Sequence, residues 1–143
     1  MTKSIYLSYS HKDEIFVSRL RSDLKHLGAE IIEDGLENAS VMLLVVTANA
    51  MADENVTADW QTFNIVHGRP VLAYIFRLTH LPAELADATK IKHFKNTYGL
   101  AFEVLRSELA RHGIELASQT IEEMRAIKPK KTKLNLFKRL LNR

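Results

Sequence analysis

The sequence predicts an α/β fold of three layers, a mostly parallel sheet flanked by helices. Three observations carry that expectation. Strand-like and helix-like stretches alternate along the chain, as they do in folds built from crossover units. Two of the candidate strands, residues 41–46 and 71–76, are apolar at every position, the pattern of strands buried on both faces of a parallel sheet. The chain of 143 residues is the size of one domain, and its 46% apolar content is enough for a core.

The elements follow in order. Ile5, Tyr6 and Leu7 form a short apolar run and a first strand. Ser10, with Asp13 three residues later, has the form of a helix N-cap and its capping partner. Phe16, Leu20, Leu24 and Leu27 then recur at helical spacing, with Ile15 and Val17 beside them, and Gly28 suits the end of that helix. Ile31, Ile32, Leu36 and Ala39 are spaced for a short second helix. The strand at 41–46 leads through a small-residue loop, 47–55, to a helix over 56–66. Val56, Trp60, Phe63 and His67 lie on its inner side, and Gly68 to Pro70 end it. After the strand at 71–76 come a turn or short helix at 82–88 and an edge strand at 91–94. The last body helix spans 98–112, with Ala101, Val104, Leu105 and Leu109 as its apolar stripe and Leu100 and Phe102 beside it.

Composition excludes several kinds of chemistry. With no cysteine, disulfide scaffolds, thiolate nucleophiles, iron–sulfur clusters and sulfur-based zinc sites are out. No two of the six histidines stand four apart, which leaves no helical zinc-hydrolase pair and no metal site to expect. No glycine-rich phosphate loop occurs, and no nucleophile stands beside an attached base. The net charge of +3 hides a split. Residues 125–143 hold eight basic side chains and no acidic one, while residues 1–124 hold twelve basic and seventeen acidic, a balance of −5. An acidic body argues against nucleic acid as a partner. With no secretory signal and no apolar run of about 18 residues, the expected location is cytoplasmic.

The run Ile5-Tyr6-Leu7-Ser8-Tyr9-Ser10-His11-Lys12-Asp13 resembles the opening box of the Toll/interleukin-1 receptor (TIR) family. The helix after it, with Arg21, Leu24 and Gly28, is similar too, and the strand at 41–46 followed by Thr47 resembles the family's central strand. Asn55-Val56-Thr57-Ala58-Asp59-Trp60, followed by Gly68-Arg69-Pro70-Val71, resembles the bacterial pattern in which a Glu-Trp pair opens a helix that leads to a Gly-Lys-Pro turn. The likeness covers residues 4 to 112 and implies a TIR-like, flavodoxin-like fold over residues 1–113. Two departures stand out. Gly28 and Ala29 run almost directly into the segment resembling the second helix, as if the second strand and its long loop were missing. Asp59 stands where family members that cleave NAD+ have Glu, one methylene or roughly 1.5 Å shorter.

The resemblance implies two functions of different class. One is a signalling or defence module that works by homotypic assembly or by contact with a partner protein. The other is an NAD+ glycohydrolase that releases nicotinamide, with cyclised ADP-ribose as one product; NAD+ is then a substrate, and no cofactor is required. Asp59 would be the catalytic carboxylate, stabilising positive charge on the ribose, although a carboxylate at a helix start is favourable in itself. Ser8, Ser10, His11 and Trp60 would contact the nucleotide. Each also has a plain reading: Ser10 as a cap, His11 as a solvated side chain, Trp60 as core.

Residues 114–132 read as a polar linker, with Pro129 among lysines. In residues 133–143, Leu134, Leu136, Phe137, Leu140 and Leu141 fall largely on one side of a helix, with Lys138, Arg139, Asn142 and Arg143 mostly opposite. Such a basic amphipathic helix suits an acidic membrane surface, a partner's groove or the acidic body of its own chain.

Overall fold

The computed structural model describes residues 3–77 and 79–124. Five strands form one parallel sheet: β1 (Ile5–Ser8), β2 (Ile31–Ile32), β3 (Val41–Val46), β4 (Val71–Ile75) and β5 (Thr89–Lys92), in the spatial order β2-β1-β3-β4-β5. The helices are α1 (Glu14–His26), α2 (Ala48–Met51), α3 (Glu54–Gln61) and α4 (Tyr98–Arg111). α3 runs on into a wider π turn, Thr62–Val66.

The central strand explains the layering. Every residue of β3 is fully buried, and its side chains alternate between two cores. Val41, Leu43 and Val45 pack with Val17, Leu20 and Leu24 of α1 and with Ala101, Phe102 and Leu105 of α4. Met42, Leu44 and Val46 pack with Val56, Trp60 and Phe63 on the other side. The three layers and the parallel sheet are those the sequence predicts.

The second strand is present, which corrects the expectation of a helix there. Ile31 and Ile32 pair in parallel with Ile5 and Tyr6, and the Ile5 N–H donates to the Glu30 carbonyl at 2.9 Å. Two β-branched residues suit a strand. Gly35, at φ 64°, stands in the left-handed region, which a helix interior does not hold. The helix-like spacing through Leu36 and Ala39 therefore collapses to a single 3-10 turn, Leu36–Asn38. Only Glu33 to Gly35 separate that turn from β2, so the connecting loop is short.

Smaller differences have plain causes. α3 starts at Glu54, earlier than its apolar pattern indicates, because the Asp53 side chain caps it by accepting from the N–H groups of Asn55 and Val56. Within the helix predicted at 56–66, Val56, Trp60 and Phe63 face the core, while His67 is exposed. On α4, Phe102 is buried, whereas Leu100 and Val104 are 58% and 45% exposed. On α1, Ile15 is 92% exposed.

Residues 114–124 are packed, not a free linker. Ile114, Ile121 and Met124 are buried in the core layer of α1 and α4. The Ala117 N–H donates to the Leu27 carbonyl, and the Arg106 guanidinium donates to the carbonyls of Ala117 and Gln119. The rest of the expected linker and the amphipathic segment 133–143 lie outside the described residues.

Candidate functional site

In a parallel sheet of this strand order, neighbouring crossovers leave on opposite faces at β1 and β3, and a crevice opens beyond the carboxyl ends of the strands. A cleft of about 120 Å³ lies there. Its walls come from the end of β1 and the loop after it (Tyr6, Ser8, Tyr9, His11), from Glu33 after β2, and from α3 with its cap (Asp53, Asn55, Asp59).

Asp59 is the half-buried acid of this cleft. Its Oδ2 accepts from the hydroxyls of Tyr6 at 3.3 Å and Ser8 at 3.4 Å. Tyr6 and Ser8 reach it together because residues two apart on a strand share a face. Burial raises the Asp59 pKa above its ordinary value of 3.8; the two hydroxyls oppose that shift, and the Asp53 charge adds to it. The same environment pushes the Tyr6 hydroxyl up to about 12, through burial first and the Asp59 charge next. Asp59 lies well inside α3, so it is not the helix-start carboxylate of the expected register; Asp53 holds that role.

Behind two residues of the cleft wall, Tyr9 and Glu33, stands Arg21. Its guanidinium donates to Tyr9 Oη at 2.7 Å, Glu33 Oε1 at 3.0 Å and Glu14 Oε1 at 3.3 Å. Exposed ion pairs contribute little to stability, so the clamp's value is positional: it ties β1, α1 and the turn after β2 to one point. Burial, with Glu33 and Glu14 nearby, pushes the Tyr9 hydroxyl up to about 12. His11 is exposed and stands edge-on to Tyr9, with ring centres 5.5 Å apart.

Of the expected site residues, the fold brings Ser8, His11 and Asp59 to one cleft. It does not bring Ser10 or Trp60. Ser10 is buried and its Oγ caps the turn His11–Asp13 by accepting from the Lys12 N–H. Trp60 is 1% exposed and packs under the sheet; the residue beside Asp59 in sequence points about 100° away on the helix. Asp13 does not cap α1. Its carboxylate accepts from Thr47 Oγ1 at 2.5 Å and Asn49 Nδ2 at 3.0 Å, which joins the loop after β1 to the loop after β3.

Sequence reading missed Tyr6, Tyr9, Glu33 and Asp53. The two-residue period of β1 marks Tyr6 as a partner of Ser8, and Asp53 before Asn55-Val56 has the form of an N-cap. No local signal marks Glu33. The cleft is lined by three carboxylates, from Glu33, Asp53 and Asp59, and by no Lys or Arg. Among the described residues no group of three or more His, Asp or Glu is placed to hold a metal ion, and no helix is long and apolar enough to cross a membrane.

Sheet order, layers and crevice together define a three-layer α/β domain with a TIR-like fold. The structure is similar to the TIR domain of the Toll-related receptor TRR-2 from the lower metazoan Hydra magnipapillata, with a TM-score of 0.63 at 14% sequence identity. The likeness covers 76% of this chain and 99% of that one. At that identity it speaks for the fold. No family model matches the sequence, and no curated protein matches it.

Proposed function

We propose that this chain is a TIR-like signalling or assembly module that acts by contact with like domains or with a partner protein. The observation that carries the reading is the size and charge of the crevice. Sites for small molecules and cofactors commonly enclose about 300–1,000 Å³, and this one measures about 120 Å³. Three carboxylates line it and no Lys or Arg does; Glu33 is ion-paired with Arg21 at 3.0 Å, so the two phosphates of a dinucleotide would meet the carboxylates of Asp53 and Asp59 as like charge. Asp59 is engaged by Tyr6 and Ser8 at the rim of a core, a placement that serves packing. The TIR-like fold supports the same reading.

The competing reading, NAD+ cleavage, draws on the convergence of Ser8, His11 and Asp59 in one cleft. An acidic wall would favour the cationic nicotinamide ring. The two separate in one set of measurements on the purified full chain. Sedimentation velocity over a wide concentration range should show self-association; a strict monomer throughout leaves only a different partner protein for the assembly reading. Incubation with NAD+ under crowded conditions should release no nicotinamide. Release that disappears in Asp59→Ala would overturn the proposal in favour of the enzyme.

A further inference from the structure

Three exposed apolar patches stand out among the described residues: Ile15, the pair Ile65 and Val66, and the pair Leu100 and Val104. Ile15 is the most exposed, at 92%, and it borders a groove of about 290 Å³ lined by Lys12, Asp13, Phe16, Phe76 and Arg77. One wall is the turn His11–Asp13 with the first turn of α1, and the other is the pair of residues after β4. The chain then crosses to the opposite layer, where Leu81, Leu85 and Ala88 pack. That crossing leaves Phe16 and Phe76 half-buried, stacked with ring centres 4.0 Å apart.

The available charge in the groove is positive. Lys12 and Arg77 are exposed, and among the described residues neither has an ion-pair partner. The Arg77 guanidinium stands 5.2 Å from the centre of the Phe76 ring. Arg19, one turn on from Ile15 along α1, adds a third cation, over the Tyr98 ring. The two carboxylates nearby are engaged elsewhere: Asp13 accepts from Thr47 and Asn49, and Glu14 from Arg21. The groove is thus a cationic, aromatic spot on a body whose residues 1–124 carry a balance of −5. We infer that it docks a short acidic segment of a partner protein, with a large apolar side chain against Ile15, Phe16 and Phe76 and flanking carboxylates on Lys12 and Arg77.

Exposure selects the class of ligand. At about 290 Å³ the groove sits at the lower limit of small-molecule sites. A molecule confined to it would leave Ile15 in water at the lip, whereas a polypeptide crossing the lip covers that side chain and the aromatic floor together. The unpaired cations set the sign. A basic segment would be repelled at close range, and a neutral one would desolvate Lys12 and Arg77 without pairing them. An acidic segment pairs both, and the acidic body around the groove disfavours its binding elsewhere on residues 1–124. The inference rests on the assembly reading in taking the occupant to be a protein, and it names the chemistry of that partner.

Chemical-shift mapping on the isotope-labelled full chain tests this, with the probe peptide acetyl-Glu-Asp-Phe-Leu-Asp-Glu-amide. The backbone amides of residues 12–16, Phe76 and Arg77 should shift on titration. Ile15→Asp, a change at an exposed position, should weaken the affinity read there about tenfold or more. Lys12→Glu with Arg77→Glu should abolish the shifts, with amide exchange in β3 unchanged as the check on folding. A peptide of the same charge with Ser for Phe and Leu should leave the groove amides unmoved; its attraction to the eight basic side chains of residues 125–143 is read separately, at their own amides. Shifts absent from the groove, an affinity unchanged in Ile15→Asp, or groove shifts that persist with the Ser peptide would each overturn the inference. Sedimentation keeps the two readings apart. A chain that self-associates but shows no groove shifts keeps the assembly reading and sinks this one, and if Ile15→Asp abolishes that self-association the groove holds a second copy instead. A strict monomer with groove shifts sinks assembly of like domains and upholds the acidic partner.

Discussion

Tyr98→Phe removes one hydroxyl and leaves the ring in place. That hydroxyl donates to Asp23 Oδ2 at 2.6 Å, and the carboxylate is 4% exposed, between α1 and the first turn of α4. The ring's other contacts, with Phe102 at 5.9 Å and under the Arg19 guanidinium at 4.2 Å, do not involve the hydroxyl. A hydrogen bond to a charged group contributes about 1.5–3 kcal/mol, against about 0.5–1.5 for a neutral pair. For a chain of this size 1 kcal/mol moves the melting temperature by roughly 3–5 °C. Tyr98→Phe should therefore lower it by about 5–15 °C at pH 7. Tyr74→Phe is the matched control, because its hydroxyl shares a 2.6 Å hydrogen bond with His93 Nδ1, a ring whose pKa burial lowers, so the pair is neutral and its loss should cost about half as much. Thermal unfolding followed by circular dichroism reads both. Equal shifts, or a Tyr98→Phe shift under about 2 °C, would refute the argument that a buried carboxylate makes this bond the stronger one.

Asp59→Asn should stabilise the protein at pH 7 and change little at pH 3. The folded carboxyl holds its proton above the ordinary 3.8 because burial disfavours the charge. The native state thus binds more protons than the unfolded chain just above that pH, and stability falls as pH rises through the interval. Asn keeps an oxygen for Tyr6 and Ser8, so destabilisation at pH 7 would show that burial does not dominate. Gly35→Ala should cost about 1–2 kcal/mol, since φ is 64° there and the new Cβ would sit 2.9 Å from Asn38 Nδ2; urea unfolding measures it. Tyr98 and Tyr74 both have hydroxyls raised above 10.0, chiefly by burial. Folding stability should fall as pH climbs past 10, and less steeply in Tyr98→Phe, by unfolding at graded alkaline pH.

The sheet was legible because β3 and β4 are apolar at every position, and in a chain this short only a strand covered on both faces needs that. β2 was not, because two residues carry no period, and Ile31, Ile32, Leu36 and Ala39 imitate a helix. The deciding fact is the left-handed Gly35, and its φ is a property of the folded loop. Residues 114–124 deceived in the opposite sense. Taken together with residues 125–132 they read as a polar linker, yet Ile114, Ile121 and Met124 fill the core beside α4. Five of the segment's eleven residues, Ile114, Leu116, Ala117, Ile121 and Met124, are apolar, and they were hidden by being read as one stretch with the lysine-rich residues after them.

α3 shows why the site was only half readable. Asp59 and Trp60 are neighbours in sequence, and the family resemblance carried both into the candidate site together. A helix turns 100° between them. The core needs an inward stripe at Val56, Trp60 and Phe63, and that stripe leaves Asp59 facing β1. Which polar groups Asp59 then meets depends on parity in β1, where Tyr6 and Ser8 point its way and Leu7 points to the other core. The acid's partners follow from two periodic patterns read against each other. Glu33 follows from neither, because it reaches the cleft from a turn that is placed when β2 pairs with β1 and that Arg21 of α1 holds by its guanidinium. The acidity of the cleft is therefore a tertiary property, set when the turn after β2 brings Glu33 beside Asp53 and Asp59.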